Sequence, residues 1–187
     1  MLWILAMTLG LVVGLASGGT LTNLAGLRFR WPWLLVGAVV VREVIVFSPL
    51  SKVDGSQYAY VLSLAVIVLW TLWHFQRLPG VVLVSAGTLM NLVVVAANGG
   101  HMPVAPEIAR TQLNGILLVR GTIGQYTLMG PNTHLNQLGD WVSLPVLPAG
   151  YSPGDILIAI GVALVVVMGT HRRAESKIGP AEPQDVN

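Results

Sequence analysis

Five long apolar runs constrain this chain more than any other feature. Roughly residues 1–19, 33–49, 58–75, 80–98 and 155–170 each approach the ~17–25 residues that a helix needs to cross a bilayer. The whole chain has 187 residues, of which 54% are hydrophobic and 10% charged, against about 25% charged in a soluble domain. Its mean hydropathy is +0.73. These values predict an all-α integral membrane bundle of about five transmembrane helices. Residues 101–154 form a folded extracytoplasmic cap between helices 4 and 5, and residues 172–187 a disordered cytoplasmic tail without apolar periodicity.

The placement of charge orients the bundle. Arg28 and Arg30 follow the first run, Arg77 separates the third from the fourth, and His171, Arg172, Arg173 and Lys177 follow the fifth. The positive-inside rule places all of these in the cytoplasm, with the N-terminus outside and the C-terminus inside. Trp31, Trp33, Trp70 and Trp73 stand near the cytoplasmic ends of their runs, where an aromatic belt is expected. The first run lacks a basic n-region, so it reads as a retained helix and not a cleaved signal peptide. No internal repeat of the kind seen in many transporters is apparent.

The chain has no cysteine, which excludes a disulfide framework, a c-type haem and an iron–sulfur cluster. Phosphate-binding glycine loops, nucleophile elbows and basic stripes for nucleic acid are missing as well. No cofactor is expected. The pairing that would serve a haem or metal is His74 with His171, both at cytoplasmic helix ends. Asp155, in the stretch SPGD ahead of the last run, reads first as an acid at the positive end of a helix dipole.

Within the second run, VVVREVIVF sets Arg42 beside Glu43 in apolar sequence. Counted from Trp33 they lie about 13–15 Å along the helix, near the middle of a hydrocarbon core about 30 Å thick. Charges at that depth face a bundle interior or a wet cavity. Neighbouring helical residues point about 100° apart, so each needs partners on other helices. The fourth run offers Ser85, Thr88, Asn91 and Asn98, with Asn91 about 16 Å up from Gly80. Ser63 and Thr71 on the third run are minor candidates. Arg42, Glu43 and Asn91 therefore form the candidate binding site at the midplane. A structural network that sets helix register explains the same residues.

Small residues Ala6, Gly10, Gly14 and Gly18 recur every four positions in the first helix, a surface for close helix packing within the chain, in a homo-oligomer or in a larger membrane complex. On the outer side, Asn98, His101, His134 and Asp140 are the candidates within and beside the cap. In NGGHMP the glycines end the fourth helix and Met102–Pro103 begins an extended segment.

NLAGLRFRW, ANGGHMPV, LGDW and YSPGDILIAIG together resemble a family of small bacterial integral membrane proteins catalogued only as a domain of unknown function. The resemblance spans nearly everything except the tail and implies a fold and a bacterial plasma-membrane location, without an activity. Arg42 and Glu43 lie outside those motifs. Three readings follow. The first is binding or transport of an ion or small molecule at the polar site. The second is a non-catalytic subunit or sensor of a membrane complex, and the third an enzyme acting on lipid or isoprenoid head groups with His101, His134 and Asp140 as acid–base groups.

Overall fold

The computed structural model describes residues 2–53, 55–112, 115–145 and 147–172; all of the expected tail except Arg172 lies outside the described residues. Helices form over all five apolar runs. They are α1 (Leu2–Ala16), α3 (Pro32–Phe47), α4 (Ser56–Trp73), α5 (Pro79–Ala97) and α8 (Pro153–His171), with a short α2 (Leu21–Ala25) after the first. Proline occupies the first turn of α3, α5 and α8, where its missing N–H costs nothing. Three helices, α4, α5 and α8, are long and apolar enough to cross a membrane. α1 is apolar but shorter.

The long helices pack side by side in the order α1, α8, α5, α4, α3. Glycines set the close approaches. A Cβ on Gly10 would lie 2.7 Å from the Ala163 carbonyl oxygen, and one on Gly14 would lie 2.5 Å from the Thr170 hydroxyl. The small-residue face of α1 thus packs on α8 of the same chain, while Gly18 faces open space. Between α5 and α8, Gly80 meets Gly161 and Gly87 meets Gly154 through their backbones. Outward-facing apolar side chains such as Leu9, Val36, Val40, Leu62, Leu69 and Leu89 remain exposed, an apolar surface of the kind that marks contact with a membrane or another protein.

The ends of the bundle differ. At one end Arg77 donates to the Arg28 carbonyl at 2.9 Å, and Arg172 to the Arg77 carbonyl at 3.0 Å. Trp70 donates to the Arg30 and Trp31 carbonyls. This basic end has no carboxylate among the described residues, for Glu43, Glu107, Asp140 and Asp155 all belong to the other half.

The opposite end carries the cap, and here the chain departs from the all-α expectation. β1 (Met102–Val104) pairs in parallel with β3 (Tyr126–Leu128), which pairs antiparallel with β2 (Thr122–Ile123). β4 (Val142–Leu144) and β5 (Leu147–Tyr151) form a separate antiparallel pair. Two short helices, α6 (Pro106–Gln112) and α7 (Ile116–Arg120), lie between β1 and β2. The physical reason is that glycines with positive φ at 115, 121 and 124 break the segment into pieces too short for stable helices, and their backbone groups must pair elsewhere.

The sequence motifs meet in the cap. Gly99 and Gly100 have φ of 66° and 93° and end α5, after which β1 begins. Asp140 N–H donates to the Pro103 carbonyl at 2.8 Å and Ala105 N–H to the Asp140 carbonyl at 2.9 Å. A Cβ on Gly139 would strike Met129 and the Pro103 oxygen, so only glycine lets LGDW lie against MPV. Below, Met102 joins Ile45, Tyr60, Leu64, Val94 and Val95 in one buried cluster that seats the cap on α3, α4 and α5.

Candidate functional site

Ser152 and Asp155 form a capping box at the start of α8. The Ser152 hydroxyl accepts from Asp155 N–H at 2.9 Å, and the Asp155 carboxylate accepts from Ser152 N–H at 3.2 Å. This satisfies donors that a helix N-terminus leaves open. The box does more than cap. Asn91 of α5 donates from Nδ2 to Asp155 Oδ1 at 2.9 Å, and its Oδ1 accepts from the Ser152 hydroxyl at 2.8 Å. Asn91 and Ser152 are fully buried. The close approach of Gly87 and Gly154 is what brings the two helices near enough for these bonds.

Arg42 of α3 joins the same group. Its guanidinium lies 3.8 Å from Asp155 Oδ1 and 3.5 Å from Glu43 Oε1, and it also meets the Tyr60 hydroxyl of α4. The three expected residues, Arg42, Glu43 and Asn91, are therefore linked, but through Asp155. No hydrogen bond joins Arg42 to Asn91 directly. The cluster also sits nearer the cap than the middle of the helices, because Asp155 belongs to the first turn of α8 and Arg42 stands five residues before the last of α3.

The acids differ in how well they are satisfied. Asp155 accepts from Asn91 and Ser152 and faces Arg42. Among the described residues Glu43 has only the 3.5 Å contact with Arg42, and it keeps 26% of its side chain exposed. Two carboxylates thus oppose one guanidinium, with a spare acceptor at Glu43. Arg42 Nε is buried without a hydrogen-bond partner, as is Asp140 Oδ1. Burial pushes the Asp140 carboxyl well above the usual carboxylate range; the nearby Asp155 charge adds to this and Arg42 opposes it. Burial likewise raises the phenols of Tyr126 and Tyr151.

Most other polar residues of the helices serve themselves, although the buried Ser85 hydroxyl has no hydrogen-bond partner among the described residues. Ser63, Thr71 and Thr88 donate to carbonyls three or four residues back on their own helices, a local bond open to hydroxyl side chains. His74 accepts from Arg30 N–H at Nε2 and lies 2.8 Å from the Trp70 carbonyl at Nδ1. His171 faces the Val167 and Ser17 carbonyls. Each would give up main-chain bonds to ligate a haem or metal, and the described residues contain no group of three or more metal-ligating side chains.

Three of the four cap candidates come together. Asn98 donates to the His134 carbonyl at 2.8 Å and accepts from His134 N–H at 2.8 Å, so one amide holds the loop. His101 lies 2.6 Å from the Gly124 carbonyl through Nδ1. Asn98, His101 and His134 line an open cleft of about 540 Å³ with Thr122, Thr127 and Thr133. Asp140 is not among its walls; its backbone pairs with β1 and Ala105 instead.

Sequence reasoning did not assign Tyr60, Ser152 or Asp155 to the site. The SPGD stretch was the available signal, because a capping acid that also faces a buried asparagine must do two jobs. No curated protein and no solved structure matches the chain. A family model does match, over residues 26–167, from the end of α2 to within the last turns of α8. On that match the chain belongs to DUF5317, a family of unknown function.

Proposed function

We propose that this is a multi-pass membrane protein whose five long helices all span the bilayer, and that it binds and transports a small cation at the Arg42–Glu43–Asp155–Asn91 cluster. The basic end faces the cytoplasm, as the positive-inside rule requires. One observation carries the reading: Glu43 is a partly exposed carboxylate with a single long contact among the described residues, beside an Asp155 that already has its partners. Ionisable groups in such helices mark ion or substrate paths by default. Asn91 and Ser152 hold Asp155 in place, and Arg42 tempers the charge so that a cation binds without being trapped.

The test is flux into proteoliposomes of Na⁺, K⁺, H⁺ and small organic ammonium ions, with wild type and Glu43→Gln. The reading predicts uptake of one of these above protein-free vesicles and its loss in the variant. Equal, background-level flux for every cation would end the transport claim.

A second reading has its own observation, the cleft shared by His101 and His134. With Nδ1–H donated to Gly124, the His101 Nε2 atom carries the lone pair of a general base. That base would serve an enzyme acting on lipid or isoprenoid head groups. His101→Gln should abolish head-group release by the reconstituted protein, and unchanged release would remove His101 from that role.

A further inference from the structure

The seam between α3 and α4 holds two apolar hollows in line. One, of about 280 Å³, is walled by Gly37, Ala38, Val41, Ala59, Leu62 and Val66, together with their neighbours. The next, of about 260 Å³, shares Leu34 and Val66 with it and ends at Arg30, Trp31, Trp73 and His74. From Trp31 to Val41 is ten residues, about 15 Å of helix, or half of a hydrocarbon core about 30 Å thick. The groove therefore runs from the basic end through the depth of one leaflet. The two hollows total about 540 Å³, far less than the volume of a helix about 10–12 Å across over the same length, and suit a single acyl chain.

What stands at its mouth identifies the occupant. Arg30 is exposed, lies 5.5 Å from the Trp31 ring centroid, and has no ion pair among the described residues. Arg28, Arg77 and Arg172 gather nearby through the Arg77 and Arg172 bonds, with no carboxylate among the described residues at that end. Gly37 has open space where a side chain would be. We infer that the α3–α4 groove is a binding site for one anionic glycerophospholipid, with an acyl chain along Gly37 and the head group on Arg30. The inference rests on the membrane location proposed above but is independent of the cation cluster.

The experiment is native mass spectrometry of the full chain in mild detergent, with phosphatidylglycerol and phosphatidylcholine of identical acyl chains. Wild type should retain one phosphatidylglycerol in roughly fivefold or greater preference, the effect of about one arginine at an anionic surface. Gly37→Leu fills the groove without meeting protein at Cβ and should lose that lipid. Arg30→Gln should keep lipid but lose the preference between head groups. Val36→Leu, on an exposed position outside the groove walls, should behave as wild type. Equal retention by Gly37→Leu and wild type, equal binding of the two lipids by wild type, or an unchanged preference in Arg30→Gln would overturn the assignment. Cation flux that depends on Glu43 while the groove variants retain lipid like wild type would separate failure of this site from failure of the transport reading.

Discussion

Asn91 and Asp155, 64 residues apart in sequence, are joined by a 2.9 Å hydrogen bond that ties the cap end of α5 to the first turn of α8. Both ends of the Asn91 amide are used, since Ser152 donates to its oxygen. Asn91→Leu would leave the buried Ser152 O–H without its acceptor and Asp155 Oδ1 without its amide donor, a loss of about 1–3 kcal/mol. Thermal unfolding in detergent should show a lower midpoint. An unchanged midpoint would mean that the contact carries no weight.

The two charges of α3 should separate in their effects on folding. Arg42→Gln deprives Asp155 of its counter-charge. Breaking a buried pair costs about 3–5 kcal/mol, but about a fifth of each side chain is exposed, which reduces the expected loss to about 2 kcal/mol. Glu43→Gln removes only a long contact and should stay within about 0.5 kcal/mol of wild type. Comparable losses from both substitutions in the same unfolding assay would contradict the division between a structural acid and a spare one.

Glycines at the α5–α8 contact should not tolerate alanine. A Cβ on Gly161 would lie 2.7 Å from the Gly80 carbonyl oxygen, and overpacking of this kind costs about 1–3 kcal/mol. Gly37→Ala, by contrast, meets nothing within 4 Å and should gain about 0.5–1 kcal/mol from helix propensity. Melting curves that rank the two the other way would show that the helices are not packed as described.

Asp140 gives the cap a pH dependence. Its carboxyl is raised by burial first and by Asp155 second, so the folded state holds its proton more tightly than the unfolded one. The stability from this group is full below the ordinary value of 3.8 and is lost as pH rises toward the folded value. Asp140→Asn should flatten that part of the pH–stability curve above 3.8. If wild type and variant melt with the same slope across the range, the carboxyl is not protonated in the folded cap.

Asn98 should act locally. Its amide makes two bonds to the His134 backbone, each contributing about 0.5–1.5 kcal/mol. Asn98→Ala should therefore raise hydrogen exchange around residues 130–138 while leaving the long helices protected. Unchanged exchange there would show that the loop is held by something else.

Much of this architecture is legible in the sequence, and the parts that are not have physical reasons. Apolar run length located the five long helices, with α5 at Pro79–Ala97 against an expected 80–98. Positive φ at the NGG glycines was likewise readable. The cap strands were not, because strands of two to five residues are too short to display a period-two alternation. Arg42, Glu43 and Asn91 stood out as polar groups in apolar sequence. Asp155 did not, because an acid in SPGD is already explained as a cap, and its partner Asn91 is distant in sequence. Counting from Trp33 along α3 alone does not reveal that the partner of Arg42 lies in the first turn of α8.

The most direct test of the central claim, a water-accessible cation site under the cap, uses the absence of native cysteine. Single cysteines at positions 43 and 91 would be exposed in membranes to a small water-soluble thiol reagent. Labelling should be rapid at 43 and slowed by the transported cation, whereas the fully buried 91 should be protected. Protection at both positions in a protein that still folds would mean a sealed structural network and would contradict the site.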